Sequence, residues 1–264
     1  TPQQLSRAQE EQVKTRKTVW AMLVKLGFLS LDDLAIFFAQ ESNIPYVRIS
    51  DYKISLSVLR LVDEAFCRQN QVMPLFKIKD ALFVACCNPL DTALLNSLAN
   101  LCGCPIEPVF ASGYSIMRAL DELYGIEDKA FEFENFIVGQ KPLEGLPFFR
   151  ESERIPLNIP VSIKIEDASV DLSFSAPIGG YSRDISRNGT AVALEVFLFL
   201  PRGLKISLDF KPPPALSIFG QIIKVAGEVI YCRMEKGQHY FLGIRFTEIT
   251  EEARVQLFKL ANLK

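Results

Sequence analysis

The feature that most constrains this chain is a change in the period of its apolar residues near residue 157. From residue 157 to 165 apolar side chains fill every second position, with polar residues such as Asn158 and Lys164 between them. In an extended strand, successive side chains point to opposite faces, so a period of two puts the apolar residues on one face and the polar residues on the other. The alternation returns over residues 204–210 and 240–246. The pattern predicts a small antiparallel β-barrel in the second half of the chain.

A helix is predicted to follow the last strand. Thr250 is a good N-cap, and Glu251 and Glu252 favour the positive start of a helix. The apolar residues beyond them recur at helical spacing: Ala253, Leu257, Leu260 and Ala261. We expect this stripe to pack against the barrel.

The first 125 residues alternate helix and strand signals and predict a small α+β domain. Ser30 precedes a helix over residues 31–41, Asn88-Pro89 opens a second helix, and a third follows Ser112 and stops at Gly125. The stripes expected to be buried are Leu94, Leu95, Leu98 and Leu101 in the second helix, and Ile116, Ala119, Leu120 and Leu123 in the third. Short strands are predicted over residues 72–76, 81–86 and 106–110.

Between these two regions the periodicity is lost, and glycines and prolines such as Gly139 and Pro142 break any regular element. A chain of 264 residues is also longer than one typical core. We therefore predict a first domain over residues 1–125, a linker over 126–148 and a second domain over 149–264.

Composition excludes several classes of protein. Lys and Arg number 29 against 31 Asp and Glu, so the basic excess typical of nucleic-acid binding is absent. No apolar run reaches the roughly 20 residues that span a bilayer, and residues 1–17 lack the apolar core of a secretory signal. We expect a cytoplasmic protein without membrane insertion, in which the six cysteines stay reduced.

A metal site is not expected. The pair Cys102-Gly-Cys104 has a spacing that can suggest a metal site, but the chain has one histidine and no CxxC to complete a ligand set. We expect neither a metal nor a tightly bound cofactor.

Two short motifs near the start of the predicted barrel do not follow from the strand pattern. Arg150 and Arg154 stand four residues apart before the first strand, where an extended chain can direct both guanidinium groups at one ligand. Asp184, Ser186 and Gly189 follow between two strands, where they offer a carboxylate, a hydroxyl and room for close backbone approach. Alone, each motif also fits an ordinary structural role, because such Asp and Ser side chains commonly stabilise turns.

The order RxxxR and then DxSxxG resembles the PilZ family, and the resemblance runs from about residue 149 to 260. It implies a six-stranded antiparallel barrel with a C-terminal helix. It also implies that Arg150, Arg154, Asp184, Ser186 and Gly189 bind cyclic di-GMP. The ligand fits these groups, because guanine O6 and N7 accept an arginine fork while N1 and N2 donate to a carboxylate. Arg183 and Arg187 are further candidates, each equally consistent with a solvated charge.

The first domain resembles the MshEN domain found at the amino terminus of type II secretion and type IV pilus ATPases. The resemblance rests on Ile44-Pro45-Tyr46, Asn88-Pro89-Leu90-Asp91, the stretch from Pro108 to Ser112 and neighbouring apolar positions. Some members bind cyclic di-GMP through an Arg-Leu-Gly triplet. Here the stretch reads Thr18-Val19-Trp20, so we predict that this domain does not bind the nucleotide in that manner; Trp20 instead serves the core or an interface.

These observations favour a cyclic di-GMP receptor that acts through domain rearrangement or a protein partner in pilus, secretion or motility regulation. A docking module that no longer responds to ligand is the alternative. We do not expect an enzyme: the sequence has no GxxxxGK[ST] motif, and His239 stands at a predicted strand start without a catalytic partner.

Overall fold

A computed structural model describes residues 1–15, 18–124, 154–175, 177–212, 222–235 and 239–262. The chain divides into two compact units. The first comprises residues 1–49, 56–75 and 84–143, and the second comprises residues 50–55, 76–83 and 144–264. The predicted linker over 126–148 lies outside the described residues.

The N-terminal part of the chain mixes helices with short strands. Its helices are α1 (Pro2–Thr15), α2 (Val19–Lys25), α3 (Leu31–Ser42), α4 (Leu56–Leu59), α5 (Glu64–Asn70), α6 (Thr92–Cys102) and α7 (Gly113–Tyr124). Its strands are β1 (Tyr52–Lys53), β2 (Val72–Ile78), β3 (Ala81–Cys86) and β4 (Ile106–Phe110). Strands β2, β3 and β4 form one sheet in that order.

Local sequence signals place most of these elements. Ser30 and Asp33 form a reciprocal capping box at the start of α3, as the sequence predicted. Helix α6 begins later than predicted, because Asp91 accepts the hydrogen bond from the Leu94 amide and acts as its N-cap, while Asn88 belongs to the preceding turn.

The predicted buried stripes of two helices are only partly correct. In α6 Leu98 is fully buried, whereas Leu101 is exposed. In α7 Ile116 and Leu120 are buried, whereas Leu123 is exposed. Each exposed leucine lies in the last turn of its helix, beyond the part that packs against the core.

The C-terminal part of the chain is dominated by strands. They are β5 (Ile155–Pro156), β6 (Pro160–Ile165), β7 (Asp171–Leu172), β8 (Ile178–Ser186), β9 (Gly189–Leu194), β10 (Lys205–Phe210), β11 (Ile223–Glu235) and β12 (His239–Glu248), followed by helix α8 (Glu251–Asn262). Six of them close an antiparallel barrel in the order β8-β6-β10-β11-β12-β9, since β9 pairs again with β8. The predicted six-stranded barrel with a C-terminal helix is confirmed.

The barrel core follows the period of two. Inward residues such as Val161, Ile163, Leu208 and Leu242 are almost completely buried. The four apolar residues predicted for the inner stripe of α8 are all buried. Burial of apolar side chains on both elements is what holds the helix against the strands.

The second unit also includes a segment from early in the sequence. Tyr52 is buried, and its hydroxyl donates a 2.5 Å hydrogen bond to the carbonyl of Phe199. Strand β1 pairs with β7 through Tyr52–Leu172 and Lys53–Asp171. Residues 50–55 therefore contribute both a strand and a buried side chain to this unit.

Candidate ligand site on the outer face of the barrel

The β8–β9 hairpin builds the centre of the site. Its turn is only residues 187–188, since Ser186 already pairs with Gly189. The sequence placed Asp184 and Ser186 between strands, but both lie at the end of β8. Strands β8 and β9 stay paired at both residues because their backbone amides and carbonyls hydrogen-bond to each other.

A glycine is required at position 189 because the backbone of β12 lies very close to it, in keeping with the room for close backbone approach that the sequence suggested. A β-carbon at this position would overlap the carbonyl oxygen of Ile244 on β12. The absence of a side chain lets β9 lie against β12 at the Gly189–Arg245 pair.

Arg154 and Asp184 meet directly. Strand β5 pairs Pro156 with Asp184, which brings the chain just before β5 to the hairpin. Arg154 Nη1 then donates to Asp184 Oδ1 at 2.5 Å, and the two side chains are 28% and 27% exposed. The backbone amide of Ala191 donates to the same oxygen at 3.1 Å. An arginine of the first motif and the aspartate of the second therefore form an ion pair that is about a quarter exposed.

Ser186 has a different environment from Asp184. Its side chain is buried, and its hydroxyl donates to the Gly189 carbonyl at 3.1 Å. Thr190, which the sequence did not single out, donates from Oγ1 to the Asp184 carbonyl at 2.6 Å. Both hydroxyls fix the hairpin on which Asp184 is held. A threonine inside a strand is too common a signal to have revealed this role.

The remaining arginines of the motif region differ in their surroundings. Arg150 lies outside the described residues. Arg183 is exposed and bonds to Glu235 through Nη1 at 3.2 Å, while its guanidinium lies over the ring of Phe241. Arg187 is also exposed, and its carbonyl accepts a 2.6 Å hydrogen bond from Arg254.

A separate surface depression of about 780 Å³ lies beside the hairpin turn. Its lining carries charges of both signs, from Lys164, Glu166, Arg187, Asp209, Lys224, Glu248 and Arg254. Neither Arg154 nor Asp184 belongs to it. Ser186 and Gly189 do not line the depression either, so the Arg154–Asp184 pair remains the better candidate.

Comparison with protein families agrees with this architecture. The model of the PilZ domain matches residues 149–262, and the model of the MshEN domain matches residues 42–130. The chain carries an MshEN domain followed by a PilZ domain. The order of the two domains expected from the sequence is thereby confirmed. Arg154, Asp184, Ser186 and Gly189 all lie within the PilZ match.

Individual relatives match parts of the chain. The type IV pilus assembly ATPase PilB of Myxococcus xanthus (strain DK1622) is 30% identical over 130 residues, which is 49% of this chain and 23% of that protein. The chain thus spans less than a quarter of this curated relative.

Two solved structures are similar to parts of the chain. The structure of MshE with cdg has 26% identity and a TM-score of 0.39, covering 45% of this chain and 86% of that one. The PilZ domain with c-di-GMP of YcgR from Escherichia coli has 15% identity and a TM-score of 0.32, covering 42% and 88%.

Trp20 lies before the matched part of the MshEN domain. It is half-buried on α2, where Thr18 caps the helix, and it packs with the rings of Phe37 and Phe38 at centroid distances of 5.8 and 5.6 Å. These aromatic contacts are consistent with the packing role that the sequence suggested. The prediction that Thr18-Val19-Trp20 does not bind nucleotide stays a prediction.

His239 is exposed at the first position of β12, where it pairs with Glu235, as expected for a strand-end residue. None of the helices within the described part of the chain has the length and apolar character that a membrane crossing needs.

Proposed function

We propose that this protein is a cyclic di-GMP receptor whose PilZ domain binds the nucleotide through Arg150, Arg154, Asp184, Ser186 and Gly189. The observation that carries the proposal is the meeting of Arg154 and Asp184 on the β8–β9 hairpin. A fixed arginine beside a fixed carboxylate matches a guanine, which has acceptors on its O6 and N7 edge and donors at N1 and N2.

The chemistry of each group suits a part of this ligand. Arg154 can release Asp184 and donate to a phosphate or to the acceptor edge of guanine, because its guanidinium has several donors in one plane. Asp184 can then accept from the guanine donors. Its Oδ2 receives no hydrogen bond from any residue that the structure describes, whereas Oδ1 keeps the Ala191 amide. Ser186 and Gly189 hold the hairpin in place.

The proposal extends to the output of the receptor. Binding at a site that includes the segment leading into β5 changes the arrangement of the domains or the docking of the MshEN domain on a protein partner. Because a type IV pilus assembly ATPase shares 30% identity over 130 residues, we propose a partner in pilus, secretion or motility regulation. The proposal includes a cytoplasmic location, where the cysteines remain reduced. It includes no catalytic step.

The test is a calorimetric titration of cyclic di-GMP into the wild type and into Arg154→Ala. We expect the wild type to bind and Arg154→Ala to bind at least about tenfold more weakly, since the lost hydrogen bonds involve a charged group. Arg202→Ala, which removes an exposed arginine from the loop before β10, is the matched control and should bind like the wild type. Cyclic di-AMP should not bind, because adenine lacks O6 and the N2 donor.

A wild type that gives no heat with cyclic di-GMP would contradict the receptor proposal. It would favour the alternative, a docking module that does not respond to ligand. If Arg154→Ala bound cyclic di-GMP as tightly as the wild type, the nucleotide would bind at another site, for example on the MshEN domain.

A further inference from the structure

The register of four strands aligns the motif aspartate with aromatic residues far away in sequence. Asp184 on β8 pairs with Ala191 on β9, Ala191 with Gly243 on β12, and Gly243 with Tyr231 on β11. Residues paired across antiparallel strands point to the same face of the sheet. Tyr231 therefore lies on the same outer face of the barrel as Asp184.

The adjacent row repeats this arrangement. Tyr181 pairs with Ala193, Ala193 with Phe241, and Phe241 with Arg233. Tyr181 is 44% exposed, and Phe241 is half-buried. Three aromatic residues thus stand in two neighbouring rows beside the ligand site.

The residues between these rings and Asp184 have small side chains or none. Ala191, Ala193 and Gly243 occupy the middle positions of both rows. A β-carbon at Gly243 would overlap the ring of Tyr231, so this ring lies across the glycine instead of standing away from the sheet. The ring of Tyr231 therefore covers the backbone of Gly243 on the outer face of the barrel.

Arginines stack on two of the rings. The guanidinium carbon of Arg183 lies 4.5 Å from the centroid of Phe241, and that of Arg233 lies 5.1 Å from the centroid of Tyr231. Arg183 is held further by Glu235 and keeps a 52% exposed side chain. A guanidinium plane on an aromatic ring is itself a surface on which a nucleobase can stack.

The barrel core does not require these rings. The inward side chains of the same strands, Val192 and Leu242, are fully buried and already fill the core. Outward aromatic pairs do stabilise sheets modestly. Arginine–ring contacts also stabilise protein surfaces, but here both rows that carry them lead across the sheet to the hairpin that holds Asp184.

We propose that Tyr231 and Phe241, together with Arg183 and Arg233, form a stacking surface for a purine base of the bound cyclic dinucleotide. The inference rests on the proposed receptor function and adds residues outside the two motifs. Asp184 and Arg154 bind the polar edge of a base, while the stacking surface binds its face. Stacking is tolerant of base identity, so selectivity for guanine stays with Asp184 and Arg154.

The test measures affinity for cyclic di-GMP in Tyr231→Leu and Phe241→Leu. Because base stacking on an aromatic group contributes substantially to affinity, we expect each variant to bind roughly 5- to 100-fold more weakly than the wild type. Tyr231→Phe, which keeps the ring, should lose less affinity than Tyr231→Leu. Phe174→Leu is the matched control, since Phe174 is an exposed aromatic residue in the bend after β7.

A second readout reports stacking in the unaltered protein. In NMR spectra of the wild type, saturating cyclic di-GMP should move the Nε–H resonance of Arg183 or Arg233 upfield through the ring current of the purine. The resonances are assigned by their loss in Arg183→Gln and Arg233→Gln. This measurement does not depend on the folding of the leucine variants.

The outcomes separate the two proposals. A wild type that does not bind overturns the receptor function and this inference with it. If the wild type binds, the inference alone is overturned either when both leucine variants keep wild-type affinity or when no arginine resonance moves at saturation. Weaker binding accompanied by the ring-current shift supports it.

Discussion

Arg154 Nη1 and Asp184 Oδ1 lie 2.5 Å apart, so one residue from each of the two motifs of the PilZ domain pairs directly with the other. The carboxylate also accepts the Ala191 amide through the same oxygen. A ligand that binds here must replace one charged hydrogen bond with others. The contact joins two of the residues proposed to bind the nucleotide, and it keeps both charges paired on the barrel surface.

The first prediction concerns Asp184→Asn. The asparagine oxygen can still accept the Ala191 amide, so the hairpin should be retained. Because the ion pair is about a quarter exposed, its loss should change the free energy of unfolding by no more than about 1 kcal/mol. Binding of cyclic di-GMP, measured by calorimetry, should weaken by about tenfold or more, since a charged acceptor for the guanine donors is lost.

The control for this variant is Asp171→Asn, which removes an exposed carboxylate on β7 that pairs with Lys53. It should leave both affinity and stability unchanged. A large loss of stability in Asp184→Asn, with unchanged affinity, would make Asp184 a structural residue.

The second prediction concerns Gly189→Ala. The added methyl group would overlap the Ile244 carbonyl on β12, so β9 must move away from that strand. We expect the free energy of unfolding to fall by about 1–3 kcal/mol in denaturant titrations, as for other overpacked positions. Asn188→Ala, at the exposed turn next to it, should have almost no effect. If Gly189→Ala and Asn188→Ala changed the free energy of unfolding equally, the close approach of β12 would not explain the glycine at position 189.

The third prediction concerns Ser182, a fully buried residue of β8. Its hydroxyl donates to the Leu157 carbonyl at 2.8 Å and accepts from the Ile159 amide at 3.1 Å. Ser182→Ala leaves these buried backbone groups without that hydroxyl, which should cost about 1–3 kcal/mol of the free energy of unfolding.

Ser207→Ala provides the comparison for Ser182→Ala in the same denaturant titrations. Ser207 bonds to Glu166 at an exposed position, so water can replace its hydroxyl. A loss of stability as small as that of Ser207→Ala would contradict the role assigned to Ser182.

The period of two predicted three strands of the barrel, over residues 157–165, 204–210 and 240–246, but not β11. In β11 the alternation of Ile223, Val225 and Val229 is interrupted by Gly227 and by a register shift between Val229 and Tyr231. An extra residue on one strand reverses the facing of every residue beyond it. The period of two therefore does not predict β11, although this strand is 13 residues long, because its pairing is irregular.

The candidate site was predictable only in its motif residues. Asp184 and Gly189 stand in a recognisable order, and the hairpin between them is local in sequence. Tyr231 and Phe241 reach the same face because β9 and β12 set a particular cross-strand register. The placement of Asp184 on that face depends in turn on a bulge in β8 between Ser182 and Asp184, which no local pattern reveals.

The last prediction concerns pH and the carboxylate of Glu228 on β11, whose side chain is 15% exposed. The hydrogen bond from Lys79 Nζ at 2.6 Å, with a second from Arg245 Nη2 at 2.8 Å, lowers the pKa of Glu228. A carboxylate with a lowered folded-state pKa stabilises the fold fully above its unfolded-state pKa of about 4.3, and this contribution is lost as the pH falls through the lower folded value. The advantage of the wild type over Glu228→Gln in the free energy of unfolding should therefore be largest above about pH 5 and shrink below about pH 4.

Lys79→Gln should reduce the same pH dependence, whereas Lys211→Gln, at an exposed lysine after β10, should not. If the difference between wild type and Glu228→Gln were independent of pH from 3 to 7, Lys79 and Arg245 would not be stabilising the charged form of Glu228.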